Sequence, residues 1–174
     1  MSSRYKWLSE VGPLPKTIAE GIQLLGTVET PGVGNNKVIM GWAKDLGLTS
    51  VYSADSIPWC GLYVAKIVKD AGKDPVKDPL WARNWTKFGK ATSTPGLGDV
   101  LVFVRNGGGH VGFYVAEDAT AYHVLGGNQS DAVTITRIAK NRLLEARSPS
   151  YINRPASAKP YKVAAEGGLS TNES

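Results

Sequence analysis

The sequence predicts an α+β fold, with helices in its first half and an antiparallel sheet in its second. Apolar residues recur at helical spacing until about residue 72, each stretch ending near a glycine. After Pro95 the pattern changes to strand-length apolar runs separated by short, turn-rich breaks. Glycine is plentiful, with 20 in 174 residues, and much of it falls in the second half, where it suits tight turns between strands.

The first helix is expected over 17–26. Thr17 and Glu20 have the form of a capping box, in which each side chain satisfies a free backbone N–H of the first turn. Ile18, Ile22 and Leu25 then share a face. A Pro- and Gly-rich turn follows at 30–34. The second helix starts at Asn35 or Asn36, both good caps, carries Val38, Ile39 and Trp42, and ends near Gly47. The third helix is capped by Asp55 or Ser56, takes Pro58 into its first turn and closes at Gly72. It is the most apolar of the helices, which predicts a central position against the sheet. A short fourth helix is expected near 80–88. Strands are expected over 100–104, 110–115, 121–125 and 133–138, with a last short one near 143–147; short connections between them imply antiparallel pairing. From about Ala156 the chain turns polar. A single domain is therefore expected over 1–155, followed by a flexible tail over 156–174.

Composition narrows the chemistry. The single cysteine rules out an intramolecular disulfide and a zinc site of several thiolates, and two histidines are too few for most catalytic zinc sites. No P-loop or dinucleotide fingerprint occurs, and no helix follows the glycines at 107–109, so they form no phosphate loop. The net charge is +5, yet no basic helix or lysine run gathers it, and no nucleic-acid partner is expected. No apolar run is long enough to span a membrane. The opening residues lack the apolar core of a secretory signal, so synthesis in a cytoplasm without a classical export address is expected.

Cys60 falls in the opening turn of the third helix, where free N–H groups and a partial positive charge favour a thiolate and can receive an oxyanion. His110 opens a strand directly after three glycines, which let another backbone or a substrate approach closely. A cysteine and a histidine are the minimum for an activated thiol; an inert core cysteine and a structural histidine are the plainer alternatives. A third group should orient the imidazole. Asn128 lies at the end of the following strand, with Gln129 as a close competitor and His123 as a rival on the same strand. Trp59, Tyr63 and Trp81 are possible cleft walls, and Asp99 is expected to cap a turn.

The segments Pro58-Trp-Cys60-Gly-Leu-Tyr-Val, Pro95-Gly-Leu-Gly-Asp99-Val-Leu-Val-Phe103 and Gly109-His110-Val-Gly-Phe-Tyr114 resemble the NlpC/P60 and CHAP superfamily. Glu29-Thr-Pro-Gly32 and Val124-Leu-Gly-Gly-Asn128-Gln129 resemble a phage-associated CHAP-like group in particular. The resemblance covers about residues 18–148. It implies a papain-like fold and hydrolysis of an amide bond of bacterial peptidoglycan, with Cys60 as nucleophile and His110 as base. CHAP relatives often carry Glu and, two residues later, Asn at the third position; here Gly126 and Asn128 stand there, which favours Asn128 over the second histidine of NlpC/P60 relatives, His123. The acidic loop that binds calcium in some CHAP enzymes is not reproduced by Asp45 and Asp55, so no metal and no cofactor are expected. The resemblance further implies a monomeric, endolysin-like enzyme that reaches the wall through a holin or other machinery. An antibacterial toxin or a cysteine acyltransferase with the same triad, and a wall-binding module with a degenerate site, are the competing readings.

Overall fold

A computed structural model describes residues 2–173 and has the α+β architecture expected. Helix α1 spans Lys16–Gln23, α2 Lys37–Asp45 and α3 Cys60–Asp70. Strands β1 (Lys90–Ala91), β2 (Val100–Arg105), β3 (Gly108–Glu117), β4 (Ala121–Gly126), β5 (Thr134–Ala139) and β6 (Leu143–Ser148) form one antiparallel sheet in the order β1-β6-β2-β3-β4-β5. The short fourth helix is a 3-10 segment over Ala82–Lys87. Two elements have no strong sequence signal: a 3-10 segment over Ser3–Ser9, which buries Tyr5 and Leu8, and the two-residue edge strand β1.

The caps differ from expectation in two helices. α2 begins as read, with the Asn36 side chain accepting from Val38 N at 2.7 Å and Ile39 N at 3.4 Å. The capping box of α1 does not form. Pro15 is the cap residue, and the Thr17 hydroxyl donates instead to the Gly98 carbonyl at 3.1 Å, tying α1 to the turn before β2. α3 starts two residues after Pro58, with Trp59 as cap residue and no side-chain cap. Asp55, an expected cap, turns the other way: its Oδ2 accepts from the amides of Thr30 and Asn36, and it thereby holds the 30–36 turn.

The alternation of β2 separates two cores, as the two-residue period of a strand requires. Val100 and Val102 join α3, Val111, Phe113 and the indoles of Trp42, Trp59 and Trp85 in the main core. Leu101 and Phe103 face the other way, into a smaller cluster with Tyr114, Val124, Ile138 and Ala146. Leu62, Tyr63, Val64, Ala65, Ile67 and Val68 of α3 are all buried, and the helix packs on β3, the central position its composition predicts.

A polar cluster locks β4 to β5 and to the first residues. His123 is fully buried; one ring nitrogen meets Tyr5 Oη at 2.9 Å and the other Asp118 Oδ2 at 2.8 Å. Arg137 Nε donates to the same carboxylate at 2.8 Å. Beyond Ala156 the chain runs back over the sheet. Val163 and Tyr161 exchange backbone hydrogen bonds with Glu117, Ser170 N donates to Arg137 O, and Ser130 N donates to Asn172 O. Removing one member of a buried ion pair leaves the other charge uncompensated. Asp118→Ala is therefore expected to lower stability by about 3 kcal/mol, read as a smaller urea midpoint at unchanged slope.

Candidate active site

The amino end of α3 is set by close contacts on two sides. A Cβ on Gly61 would lie 2.1 Å from the Pro79 carbonyl oxygen, so only glycine fits there. A Cβ on Gly127 would lie 2.6 Å from Tyr63 Cβ and 2.8 Å from the Trp59 ring. Trp59 is fully buried and donates from Nε1 to Glu29 Oε2 at 3.1 Å. These contacts fix the residue next to it, Cys60, at the first helical position.

Because no side chain caps α3, its first amides remain available to the thiol. Cys60 is 4% exposed. Burial pushes its thiol above the ordinary value, opposed by hydrogen bonds from the amides of Val111, Gly61 and Cys60 itself and by the charge of Arg105. The sequence reading expects the helix terminus to favour a thiolate; here burial outweighs its amides and the net shift is upward, toward the neutral thiol. The Val111 amide belongs to the residue after His110, so this contact brings the thiol onto the strand that carries the histidine.

His110 stands near the start of β3, in register with Phe103 of β2, and is fully buried. Its Nε2 meets Gln129 Oε1 at 3.0 Å. The Gln129 amide nitrogen donates to Thr134 O at 2.8 Å, to Thr134 Oγ1 at 3.1 Å and to Val124 O at 3.2 Å. Three acceptors around the nitrogen leave the oxygen facing the ring, so in the neutral imidazole Nε2 carries the proton and Nδ1 keeps its lone pair. That Nδ1 is buried and has no hydrogen-bond partner among the described residues; the thiol and the ring are not hydrogen-bonded to each other. Burial lowers the His110 pKa from 6.5 to about 4, with Gln129 and Glu173 acting against it and Arg142 and Arg105 adding to it.

Of the three residues considered for orienting the ring, the one on it is Gln129. Asn128 is buried at φ 55°, and its Oδ1 has no hydrogen-bond partner among the described residues. His123 has both ring nitrogens engaged in the Tyr5–Asp118 cluster. The walls also divide: Tyr63 is buried and donates to Gly21 O, whereas Trp81 is 74% exposed. Asp99 holds its turn by accepting from Gly96 N at 2.9 Å. Sequence reasoning missed Arg105, Arg142 and Glu173, whose charges act on His110. They lie far apart along the chain, in segments with no motif to mark them.

Among the described residues, no group of three or more His, Cys, Asp or Glu side chains is placed to hold a metal ion, and no helix is long and apolar enough to cross a membrane. The CHAP domain family matches residues 52–128, under half of the chain but including both Cys60 and His110. This match supports the superfamily resemblance; it ends one residue before Gln129. No curated protein matches the chain.

The lowered His110 pKa has a definite sign. The unfolded ring binds its proton near pH 6.5 and the folded ring near 4, so its contribution to stability is present above 6.5 and is lost as pH falls from 6.5 toward 4. NMR of the ring should show His110 neutral from pH 8 down to about 5, with a midpoint near 4; a midpoint at the ordinary value would contradict the burial argument.

Proposed function

We propose that the chain is a cysteine-dependent peptidoglycan hydrolase that cuts a wall amide bond, with Cys60 as nucleophile, His110 as base and Gln129 holding the ring. The observation that carries this reading is the hydrogen bond from the His110 ring to a carboxamide fixed by three other partners, on the strand whose next amide meets the thiol. The CHAP match supplies the substrate class.

In this mechanism His110 Nδ1 takes the thiol proton as the sulfur attacks the carbonyl carbon. The amide of Cys60 and a neighbouring donor receive the oxyanion. The C–N bond then breaks, and the imidazolium proton leaves with the amine, giving a thioester on Cys60. His110 next takes a proton from water as that water attacks the thioester, and the acid and free thiol are released. A neutral thiol and a neutral ring are the correct starting forms. The Nδ1–thiol hydrogen bond forms on substrate binding, since catalytic contacts commonly tighten only in the complex. Gln129 performs the orienting task in place of Asn128, the residue that the family pattern favours. An endolysin-like setting, with wall access through a holin, belongs to this reading; the CHAP match supports the hydrolase chemistry behind it.

Mass spectrometry of purified peptidoglycan should show released fragments with the wild type and none with Cys60→Ala, and the new termini identify the bond. Gln129→Ala should lower kcat by about 100-fold, the lower end of what a positioned base contributes, while His123→Ala should act on stability instead. If Asn128→Ala removes activity and Gln129→Ala does not, the orienting role belongs to Asn128. Fragments absent from a folded wild type across several wall types would favour the acyltransferase or toxin readings.

A further inference from the structure

Among the charges that act on the His110 ring is that of Glu173, which arrives from the far end of the described chain. Its side chain is fully buried. Its two carboxylate oxygens accept from Arg142, at 3.1 Å from Nη1 and 2.7 Å from Nη2, the fork-to-fork geometry of specific carboxylate recognition. Arg142 closes the Lys140–Arg142 link between β5 and β6, and its Nε donates to Val104 O at the end of β2. Its Nη1 also reaches Ser170 O at 3.3 Å. One residue before the glutamate, Asn172 O accepts from Ser130 N, beside Gln129. Residues 170–173 are thus held by backbone and carboxylate together, as an extended peptide bound next to the catalytic ring would be.

The surroundings suit an anion beyond what Glu173 alone requires. A cavity of about 490 Å³ is lined by Val104, Arg105, Asn106, Asn141, Arg142 and Thr171. It therefore presents two guanidinium groups, with a residue of the 170–173 segment as part of its wall. Arg105 Nε is buried with no hydrogen-bond partner among the described residues, a donor without an acceptor beside a cavity large enough to supply one. Burial alone would raise the Glu173 carboxyl; hydrogen bonds from Arg142 and Ser170 and the nearby His110 bring it below its ordinary value, so it binds as the anion.

We propose that Arg142, with Arg105 beside it, forms a carboxylate-binding subsite of the catalytic cleft. The chain's own Glu173 fills it at rest, and a carboxylate of the peptide substrate takes it in turnover. The substrate class rests on the peptidoglycan reading, in which the stem peptides carry free or amidated carboxyl groups; the subsite itself does not.

The test uses the full chain and the rate at which iodoacetamide alkylates Cys60. Glu173→Gln should raise this rate roughly 10-fold or more, the factor that a hydrogen-bonded charge pair is worth. A synthetic peptide of residues 170–174 should then restore protection, and the same peptide with Gln at the Glu position should not. Arg142→Gln combined with Glu173→Gln should stay reactive and ignore both peptides, while Arg142→Lys retains partial protection and reports that the fold is intact. An unchanged alkylation rate in Glu173→Gln, or equal protection by the two peptides, overturns the subsite. On peptidoglycan, Arg142→Gln should erase a preference for walls with free stem carboxylates over amidated ones. Peptide protection without cleavage of any wall would leave the subsite standing and remove the hydrolase reading; wall cleavage without peptide protection would do the reverse.

Discussion

The site depends on how closely the amino end of α3 is pressed between two loops. Pro79 leaves no room for a side chain at position 61, and the Trp59 and Tyr63 side chains leave none at 127. Interiors pack at near-crystalline density, so a single methyl group at either place must displace backbone or ring. These contacts bring the first turn of the helix to β3, where the Val111 amide meets the thiol, and bring the end of β4 to the histidine ring. The partly buried Trp59–Glu29 hydrogen bond fixes the same turn from a third direction. The positions of Cys60, His110 and Gln129 are consequences of this packing more than of any one polar contact.

Electrostatics in so dry a site follow burial first. Withdrawal from water favours the neutral form of both thiol and imidazole, and it exceeds the stabilisation offered by the open end of α3. In the proposed reaction the thiol is activated when substrate binding changes these surroundings. The buried Glu173 carboxylate beside Arg142 and the Arg105 Nε, which has no partner among the described residues, show where charge is concentrated around this otherwise neutral pair.

The main elements were legible because periodicity reports which face is buried. The strands of 100–105, 108–117 and 121–126 each contain a strand-length, largely apolar stretch, and α2 carries its cap in plain view at Asn36. The failures have a common cause. Thr17 and Asp55 are good caps by type, but each found a partner distant in sequence, Gly98 O for one and the amides of Thr30 and Asn36 for the other. Local pattern cannot weigh a tertiary competitor. The same limit applies at the site. Cys60 and His110 stand on regular elements with glycine signatures, so the elements that carry them were readable. Asn128 and Gln129 are adjacent in a turn, and only the folded turn, with Asn128 in the left-handed region, shows that Gln129 meets the ring. A Glu near residue 173 has no local signal at all.

The central claim is that Cys60 carries an acyl group from the wall during turnover. Its most direct test is the intact mass of the enzyme after brief mixing with soluble peptidoglycan fragments and acid quench. The account predicts a mass increase equal to a wall acyl fragment, mapped to Cys60 and released by hydroxylamine as a thioester requires. A fragment-producing enzyme that never carries such an adduct, and that keeps its activity after Cys60 is alkylated, would contradict it.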